Sequence, residues 1–471
     1  MEIPHQQAWI NSFATPSQAR LGVLAEFSES EGTGILEDYR ARRGDWEETF
    51  GNSLLFRPYE LLCWGWTMTR AWLRRRGGQE GGAGCPQPSS RGGESVGLHT
   101  LMLVSNPVTY DPRVRAEARS LIEHGYRVTV LGWDGAGQAP PEEVIDGARV
   151  LRLSNTRYMR LLPYDLLRLR PWWRAAYRRA TKLHQEDPFD VMHCHDLDTL
   201  PVGVRWKLAT GSPLLYDAHE IWGYMVAKDL PSSVASYFLW KEKRLVRHTD
   251  QIVTVSEPVK AYFEGIASSP MTVVLNAKPV QATEYQPPDN PVFTVLYIGA
   301  LNRTRFVLES VEAVATLEGV RLLVGGIGKA PYLASLEARS REIENVEFLG
   351  RVPHEDVLPL TSRTDAVLAM FDPNDKLTRL GLPNKLFEAM ATGRPILVSR
   401  DTYLAKFITR EGVGLAVEHS KEGVREGLKR LRDDADLRET LGRQALKRAV
   451  EEFSWERQQE RLLDVYESTV P

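Results

Sequence analysis

Residues Leu382 to Val398 read LPNKLFEAMATGRPILV, and the reading of this stretch decides the fold. Pro383 and Asn384 open a helix, since proline suits a first helical turn and asparagine caps one. Leu386, Phe387 and Met390 recur at helical spacing, which buries one face and leaves Glu388 toward another. Gly393 ends the helix, Pro395 follows, and Ile396 to Val398 form the unbroken apolar run of a buried parallel strand. A helix start that points into a cleft favours an anion, because its N–H groups are unpaired and its dipole is positive there. Asn384, Lys385 and Leu386 are therefore candidates for holding phosphate. Glu388, about one turn further in, could accept two ribose hydroxyls; the competing reading is a solvated glutamate on an ordinary αβ unit.

The same alternation extends to both sides. LHTLMLVSN from Leu98 reads as a strand, and Pro112 to His124 as a helix burying Val114, Ala118, Leu121 and Ile122. RVTVLGWD, RVLRL, FDVMHCHD, PLLYDAHE, QIVTVSE and MTVVLN continue the strands. The proline-rich KPVQATEYQPPDNP at 278–291 then reads as an interdomain linker. A second series follows from FTVLYIG at 293 through RLLVGG, VEFLG, DAVLAMF, PILVS and GLAVE. Strands alternating with helices mean parallel, doubly wound sheets. The expected architecture is α/β: two Rossmann-like doubly wound parallel-sheet domains, 97–284 and 285–453, facing a cleft, with a last helix at 454–471.

Residues 1–96 lack this rhythm and close on GGQEGGAGCPQPSSRGGES, so a poorly ordered extension and linker is expected there. Within them Leu54 to Arg76 carries Trp64, Trp66, Trp72 and an arginine cluster, which suits an interfacial anchor or a helix packed on the body of the protein.

A chain of 471 residues is long enough for two or three domains, and its net charge of −3 argues against nucleic acid as a partner. Cys63, Cys85 and Cys194 are too scattered for a disulfide framework or a zinc site, so a reducing compartment is expected. No apolar run approaches the roughly 18 residues of a membrane span, and MEIPHQQAWINSF lacks the pattern of a signal peptide. These bounds predict a cytoplasmic protein, with peripheral contact at the inner face of the membrane. Residues 157–182 supply the means: Arg157, Arg160, Arg168, Arg170, Arg174, Arg178, Arg179 and Lys182 are interleaved with Leu161, Leu162, Leu166, Leu167, Trp172 and Trp173. Such a stretch can lie on an anionic membrane surface, or it is a solvated helix with its tryptophans packed inward.

The 382–398 string, together with YDAHE at 216–220, TVSEPV at 254–259, LYIGALNR at 296–303 and FLGRV at 348–352, resembles the signatures of GT-B glycosyltransferases of family 4. The resemblance covers about 97–471 and implies a GT-B fold whose last helix crosses back to the first domain near Trp455. It implies a retaining transferase that moves a sugar from a nucleotide-diphosphate sugar, with UDP or GDP, to a hydroxyl of a carbohydrate or lipid-linked acceptor. Glycan, exopolysaccharide or glycolipid biosynthesis is the implied setting, with no cofactor and no metal required. His219, Glu388 and Arg305 are the implied catalytic set. Two positions depart from the family pattern: Leu380 stands where a second glutamate is usual, and Ala300 where an arginine is usual.

Ligands of doubly wound sheets sit beyond the carboxyl ends of the strands. On the donor side Gly299 closes a strand, and Arg303 and Arg305 follow as cations able to neutralise a diphosphate, or as solvent-facing residues at a helix start. In the GGIGK run Gly326 would let the backbone approach a ligand, or merely turn. Arg351 follows Gly350, where the resemblance implies that backbone groups read the base. On the acceptor side His219 could hydrogen-bond a sugar hydroxyl or stabilise developing positive charge through its lone pair or backbone carbonyl. His195 and Asp196, beside Glu220, are candidates for orienting the acceptor or acting as base. His193 would extend a metal set, but no third ligand at sensible spacing is evident and no metal is assigned. Asp111, Arg113 and Arg115 could meet an acceptor phosphate; alternatively Asp111 caps the helix that Pro112 begins. The rival functions are a catalytically weak sugar-nucleotide-binding scaffold subunit, a nucleotide-sugar epimerase or a phosphorylase of the same fold, and a Rossmann oxidoreductase, which the lack of a spaced glycine fingerprint disfavours.

Overall fold

β1 (His99–Leu103) has no polar face, and all five of its residues are buried, as a central parallel strand requires. In this computed structural model, which describes residues 97–469 apart from 163, 164, 229 and 281, β1 lies near the middle of an eight-stranded sheet. The extension 1–96 and its 54–76 stretch lie outside the described residues. The other strands of this sheet are β2 (Arg127–Asp134), β3 (Glu142–Ile145), β4 (Ala148–Ser154), β5 (Val191–His195), β6 (Leu214–Ala218), β7 (Gln251–Thr254) and β8 (Met271–Val273). They run in the order β3-β4-β2-β1-β5-β6-β7-β8, all parallel except β3, which is antiparallel to β4. β3 was not anticipated. It forms because Asp146 and Gly147, at φ 51° and 86°, make a two-residue turn that pairs Ile145 with Ala148.

The second sheet holds β9 (Phe293–Leu301), β10 (Val320–Gly328), β11 (Val346–Gly350), β12 (Ala366–Ala369), β13 (Ile396–Ser399) and β14 (Gly414–Val417). Its order is β11-β10-β9-β12-β13-β14, and every pairing is parallel. In each sheet the chain builds outward from one strand, then returns to build on its other side. The reversal falls between β1 and β5 in one sheet and between β9 and β12 in the other, which is where doubly wound folds bind ligands.

The helix Trp455–Thr469 crosses back to the first domain. Trp455, Leu462, Val465 and Tyr466 join a core with Met102, Val114 and Val130, and Trp455 Nε1 donates to Ser120 Oγ at 2.9 Å. Leu462 and Tyr466 are fully buried, and each such burial contributes about 1.5–3 kcal/mol, so this helix is held to the first domain by its apolar face. A second connection comes from Leu377 and Leu380, which pack against the main core of the first domain. The position that carries glutamate in the resembling family is thus used here as an apolar interdomain contact.

The helix Asp165–Glu186 runs through Pro171 and turns its tryptophans inward: Trp172 is buried and stacks on Trp133 with ring centroids 5.4 Å apart. Tyr158 and Leu161, in the short helix before it, are exposed at 64% and 78%. Among the described residues no helix is long and apolar enough to cross a membrane.

Candidate active site

The carboxyl ends of the two sheets face one another across a cleft of about 1320 Å³. One wall carries Gly299, Arg305, Phe371, Asn384, Lys385 and Glu388; the other carries Asn106, Asp111, Arg113, His219 and Glu220.

On the second-domain wall the helix Asn384–Ala391 begins at the cleft. Pro383 is its N-cap at φ −77° and ψ 155°, so the reading of Asn384 as the cap is corrected: it is the first helical residue and no side chain caps this end. Proline has no side-chain acceptor, and its carbonyl takes the Leu386 N–H at 3.0 Å, so the N–H groups that precede Leu386 at this helix start keep no intrahelical acceptor. Leu386 does not line the cleft: its side chain is wholly buried with Val367 and Ile396, and its N–H is donated to the Pro383 carbonyl, which corrects its reading as a donor ligand.

Lys385 Nζ lies 3.8 Å from the centre of the Tyr297 ring, and burial, helped by the nearby Arg305, lowers its pKa to about 7. Gly299, at φ 147°, makes room for it, since a Cβ there would come within 3.1 Å of Nζ. Arg305 stacks its guanidinium 4.2 Å from the Phe371 ring centre and lines the cleft. Arg303 is exposed and does not line it. Glu388 is 7% exposed, its pKa is raised by burial, and Lys278 Nζ stands 3.9 Å from its Oε1.

Gly326 has a different duty from the one expected. A Cβ on it would lie 1.8 Å from the Gly299 carbonyl oxygen, so the missing side chain serves the close approach of β10 to β9 rather than a ligand. Arg351 also lies outside the cleft lining; its guanidinium sits 5.3 Å from the ring centre of Tyr110, on the opposite domain.

The first-domain wall is organised around Asp217 at the end of β6. Arg113 grips it bidentately, Nε to Oδ2 at 2.7 Å and Nη2 to Oδ1 at 2.8 Å, and also donates to the Val274 carbonyl and Asn276 Oδ1. With its donors so engaged, Arg113 is a strut between strand ends and not a free phosphate ligand, which corrects the acceptor-side reading. Arg115 is likewise spent on Asp146 at 2.7 Å. Asp111 caps its helix, Oδ1 accepting from Val114 N at 3.1 Å, while its residue lines the cleft.

His219 stands between two carboxylates, Nδ1 at 3.3 Å from Asp196 Oδ2 and Nε2 at 3.0 Å from Asp217 Oδ2. Burial opposes the charged ring, but Asp196 and Asp217 outweigh it and raise the pKa to about 10. An imidazolium with both N–H groups engaged has no lone pair to offer, so what the ring brings to the cleft is its charge. His195 and Asp196 do not reach the cleft: both are buried beneath His219, where His195 Nδ1 lies 3.3 Å from Asp217 Oδ2 and Asp196 Oδ1 accepts from the His219 backbone N–H. Glu220 lines the cleft, its pKa raised by burial against the pull of His219, Lys228 and Arg305.

The fold does assemble ligand types that the spacing of His193 and His195 hid. Glu117 and Asp217 join the two histidines, with the ligating atoms of all four within 4.8 Å of one another. The positive charge there is already supplied by Arg113, whose Nε is 3.0 Å from Glu117 Oε1 and 2.7 Å from Asp217. Burial, and after it Asp217, push the Glu117 pKa well above the usual carboxylate range, against the pull of Arg113. His193 Nδ1 bonds the Tyr466 hydroxyl at 2.9 Å, which ties the crossover helix to the same group.

Sequence reasoning missed Asp217, Glu117, Tyr466, Phe371 and Lys278. Asp217 had a signal, since it is a strand-end acid inside YDAHE; Lys278 stood in what read as linker.

This arrangement defines a class: two doubly wound domains facing a cleft, with a helix start, cations and an acid on one of its walls, have the architecture of a GT-B transferase. Residues 110–277 match the model of the glycosyl transferase 4-like domain, and 303–464 that of a glycosyl transferase-like domain. The chain belongs to the GT-B glycosyltransferases of the family 4 type. An uncharacterized glycosyltransferase of Methanocaldococcus jannaschii is 22% identical over 394 residues, covering 76% of this chain and 95% of that protein. The succinoglycan biosynthesis protein ExoL of Rhizobium meliloti is 24% identical over 326 residues, 65% of this chain and 78% of its own. Among solved structures, sucrose-phosphate synthase from Thermosynechococcus elongatus superposes with a TM-score of 0.67 at 18% identity, over 79% of this chain and 98% of that one. HepE of Anabaena in complex with UDP and glucose gives a TM-score of 0.59 at 15% identity, over 79% and 100%.

Proposed function

We propose that this glycosyltransferase moves a sugar, with retention of configuration, from a UDP- or GDP-sugar to a hydroxyl of a carbohydrate or lipid-linked acceptor. The observation that carries the reading is the grouping of Glu388, Lys385, Arg305 and the uncapped start of the Asn384–Ala391 helix on one wall of the cleft. Glu388 takes the ribose hydroxyls; Lys385, Arg305 and the helix N–H groups take the diphosphate. As the bond from the anomeric carbon to the diphosphate breaks, the acceptor oxygen bonds on the same face and its proton passes to the departing phosphate. The cations gain interaction as negative charge grows on that phosphate, which is how they accelerate the step. His219 opposes them from the first domain with its backbone carbonyl toward the sugar. Support from relatives is of the same kind, since HepE was solved with UDP-glucose and ExoL is a succinoglycan biosynthesis protein. Basic residues of 157–182, with exposed Tyr158 and Leu161 beside them, support docking on an anionic membrane surface at its cytoplasmic face, where a lipid-linked acceptor would be met.

The test is a panel of labelled UDP-, GDP- and ADP-sugars with lipid and oligosaccharide acceptors, run on the wild type and Glu388→Ala. One nucleotide sugar should be consumed by the wild type, and the folded variant should lose at least tenfold in donor affinity. Unchanged affinity in Glu388→Ala would remove that helix as the donor seat. A second reading, a catalytically weak sugar-nucleotide-binding subunit, is favoured by one observation: Leu380 faces the first domain's core and offers no carboxylate to the sugar. Binding without release of free nucleotide under any acceptor would establish it.

A further inference from the structure

Among the residues that line the cleft, Lys278 has a place that the donor wall as described does not account for. Lys278 belongs to neither sheet; it follows β8 where the chain leaves the first domain, and its carbonyl accepts from Trp455 N at 3.1 Å as the last helix returns. The two crossings between the domains therefore run side by side at this residue, joined by a bridge between Lys278 and Ser454. Its side chain is 9% exposed and lines the cleft, pointing its ammonium at Glu388. The separation of 3.9 Å is an ion pair without a hydrogen bond, so the carboxylate oxygens keep their acceptor capacity for a ligand.

We infer that Lys278 is a positioning residue of the donor site, a linker-borne cation that keeps Glu388 ionised and aimed so that it accepts the two hydroxyls of a nucleotide ribose. This rests on the donor-seat reading of Glu388. The electrostatics agree: burial raises the Glu388 pKa while Lys278 and then Lys385 oppose it, and burial lowers Lys278, with Glu388 opposing. The charged neighbours are few. Lys385 shares the helix of Glu388, Arg305 from the loop after β9 faces Lys385, and His354, at the start of the helix His354–Ser362, faces Lys278. Lys385 leans on an aromatic ring and is partly neutral near pH 7, so Lys278 is the larger of the two countercharges on the acid.

Removing this cation leaves a buried carboxyl with less to hold it ionised, and a protonated carboxyl offers a ribose one acceptor oxygen fewer. The experiment is calorimetric titration of the full chain with whichever of UDP, GDP or ADP binds best, from pH 5 to 8, for wild type, Lys278→Met, Lys278→Gln, Lys278→Arg and Glu388→Ala. Methionine keeps the length and apolar stem; glutamine serves if methionine does not fold. The loss of affinity on acidification should begin about one pH unit higher in Lys278→Met or Lys278→Gln, with binding about tenfold weaker at the acid end of the range, and Lys278→Arg should restore the wild-type profile. A neutral variant that binds with wild-type affinity and an unmoved profile, while Glu388→Ala loses binding, overturns the role of Lys278 alone. If Glu388→Ala also binds as wild type, the donor seat itself is misplaced.

Discussion

Asp217 and Arg113 meet through two parallel hydrogen bonds of 2.7 and 2.8 Å, with both side chains almost wholly out of solvent. Their pairing joins the helix after β1 to the end of β6, and through the Val274 carbonyl it reaches the strand segment that leads to Lys278. Because desolvating two charges is costly, the pair need not be stabilising by itself; losing one partner is the larger effect. Arg113→Ala leaves Glu117 and Asp217 together in a dry site with His219 as the cation remaining beside Asp217, and should cost about 3–5 kcal/mol, measured by urea unfolding. Arg113→Lys, which keeps charge but not the planar fork, should fall between this variant and the wild type.

His219 gives stability a defined pH dependence. Its pKa in the folded chain is about 10, above its ordinary value of 6.5, because Asp196 and Asp217 outweigh the cost of burial. The folded state therefore binds the proton more tightly than the unfolded one. This contribution is fully present below about pH 6.5 and is lost as pH rises through about 10. Unfolding free energies measured from pH 6.5 to 10 should fall more steeply for the wild type than for His219→Gln; parallel curves would place the proton elsewhere.

Lys385 works in the opposite sense. Burial and Arg305 hold its folded pKa at about 7, so at pH 8 most molecules carry it neutral. A diphosphate arriving at the helix start favours the ammonium, and binding should take up a proton. Titrations with UDP at pH 8 in buffers of different ionisation heat should show an uptake approaching one proton, and Lys385→Met should abolish it. Affinity should weaken as pH rises above about 7.

Gly326 and Gly350 separate contact from conformation. Both have positive φ, 143° and 66°, but a Cβ on Gly326 would lie 1.8 Å from the Gly299 carbonyl oxygen, whereas none of its neighbours lies within 4 Å of one on Gly350. Gly350→Ala should cost about 1–2 kcal/mol for the left-handed backbone alone. Gly326→Ala should cost clearly more and should also weaken donor binding, because β9 must shift and Gly299 makes room for Lys385. Thermal unfolding and nucleotide titration of the two variants check both statements.

The amino-acid order alone determined the two αβ series, the linker between them, and the helix that carries Glu388. These are written in local terms: the apolar period of Leu386, Phe387 and Met390, the stop at Gly393, the strand run at Ile396 to Val398. Even the unanticipated strand β3 had its sign in Asp146-Gly147, a local turn overlooked. The duties of individual side chains were decided only by tertiary contact. Arg113 reads as a free cation until Asp217, 104 residues away, is brought against it. His195 reads as a site residue until the sheet buries it under His219, and Leu380 as a lost acid until it seats against the other domain's core. Lys278 is linker by composition and becomes part of the cleft because two chain crossings meet there. The physical reason is the same for each: spacing along the chain sets which way a side chain leaves its element, while charge state and partners depend on what distant segment fills the space it enters.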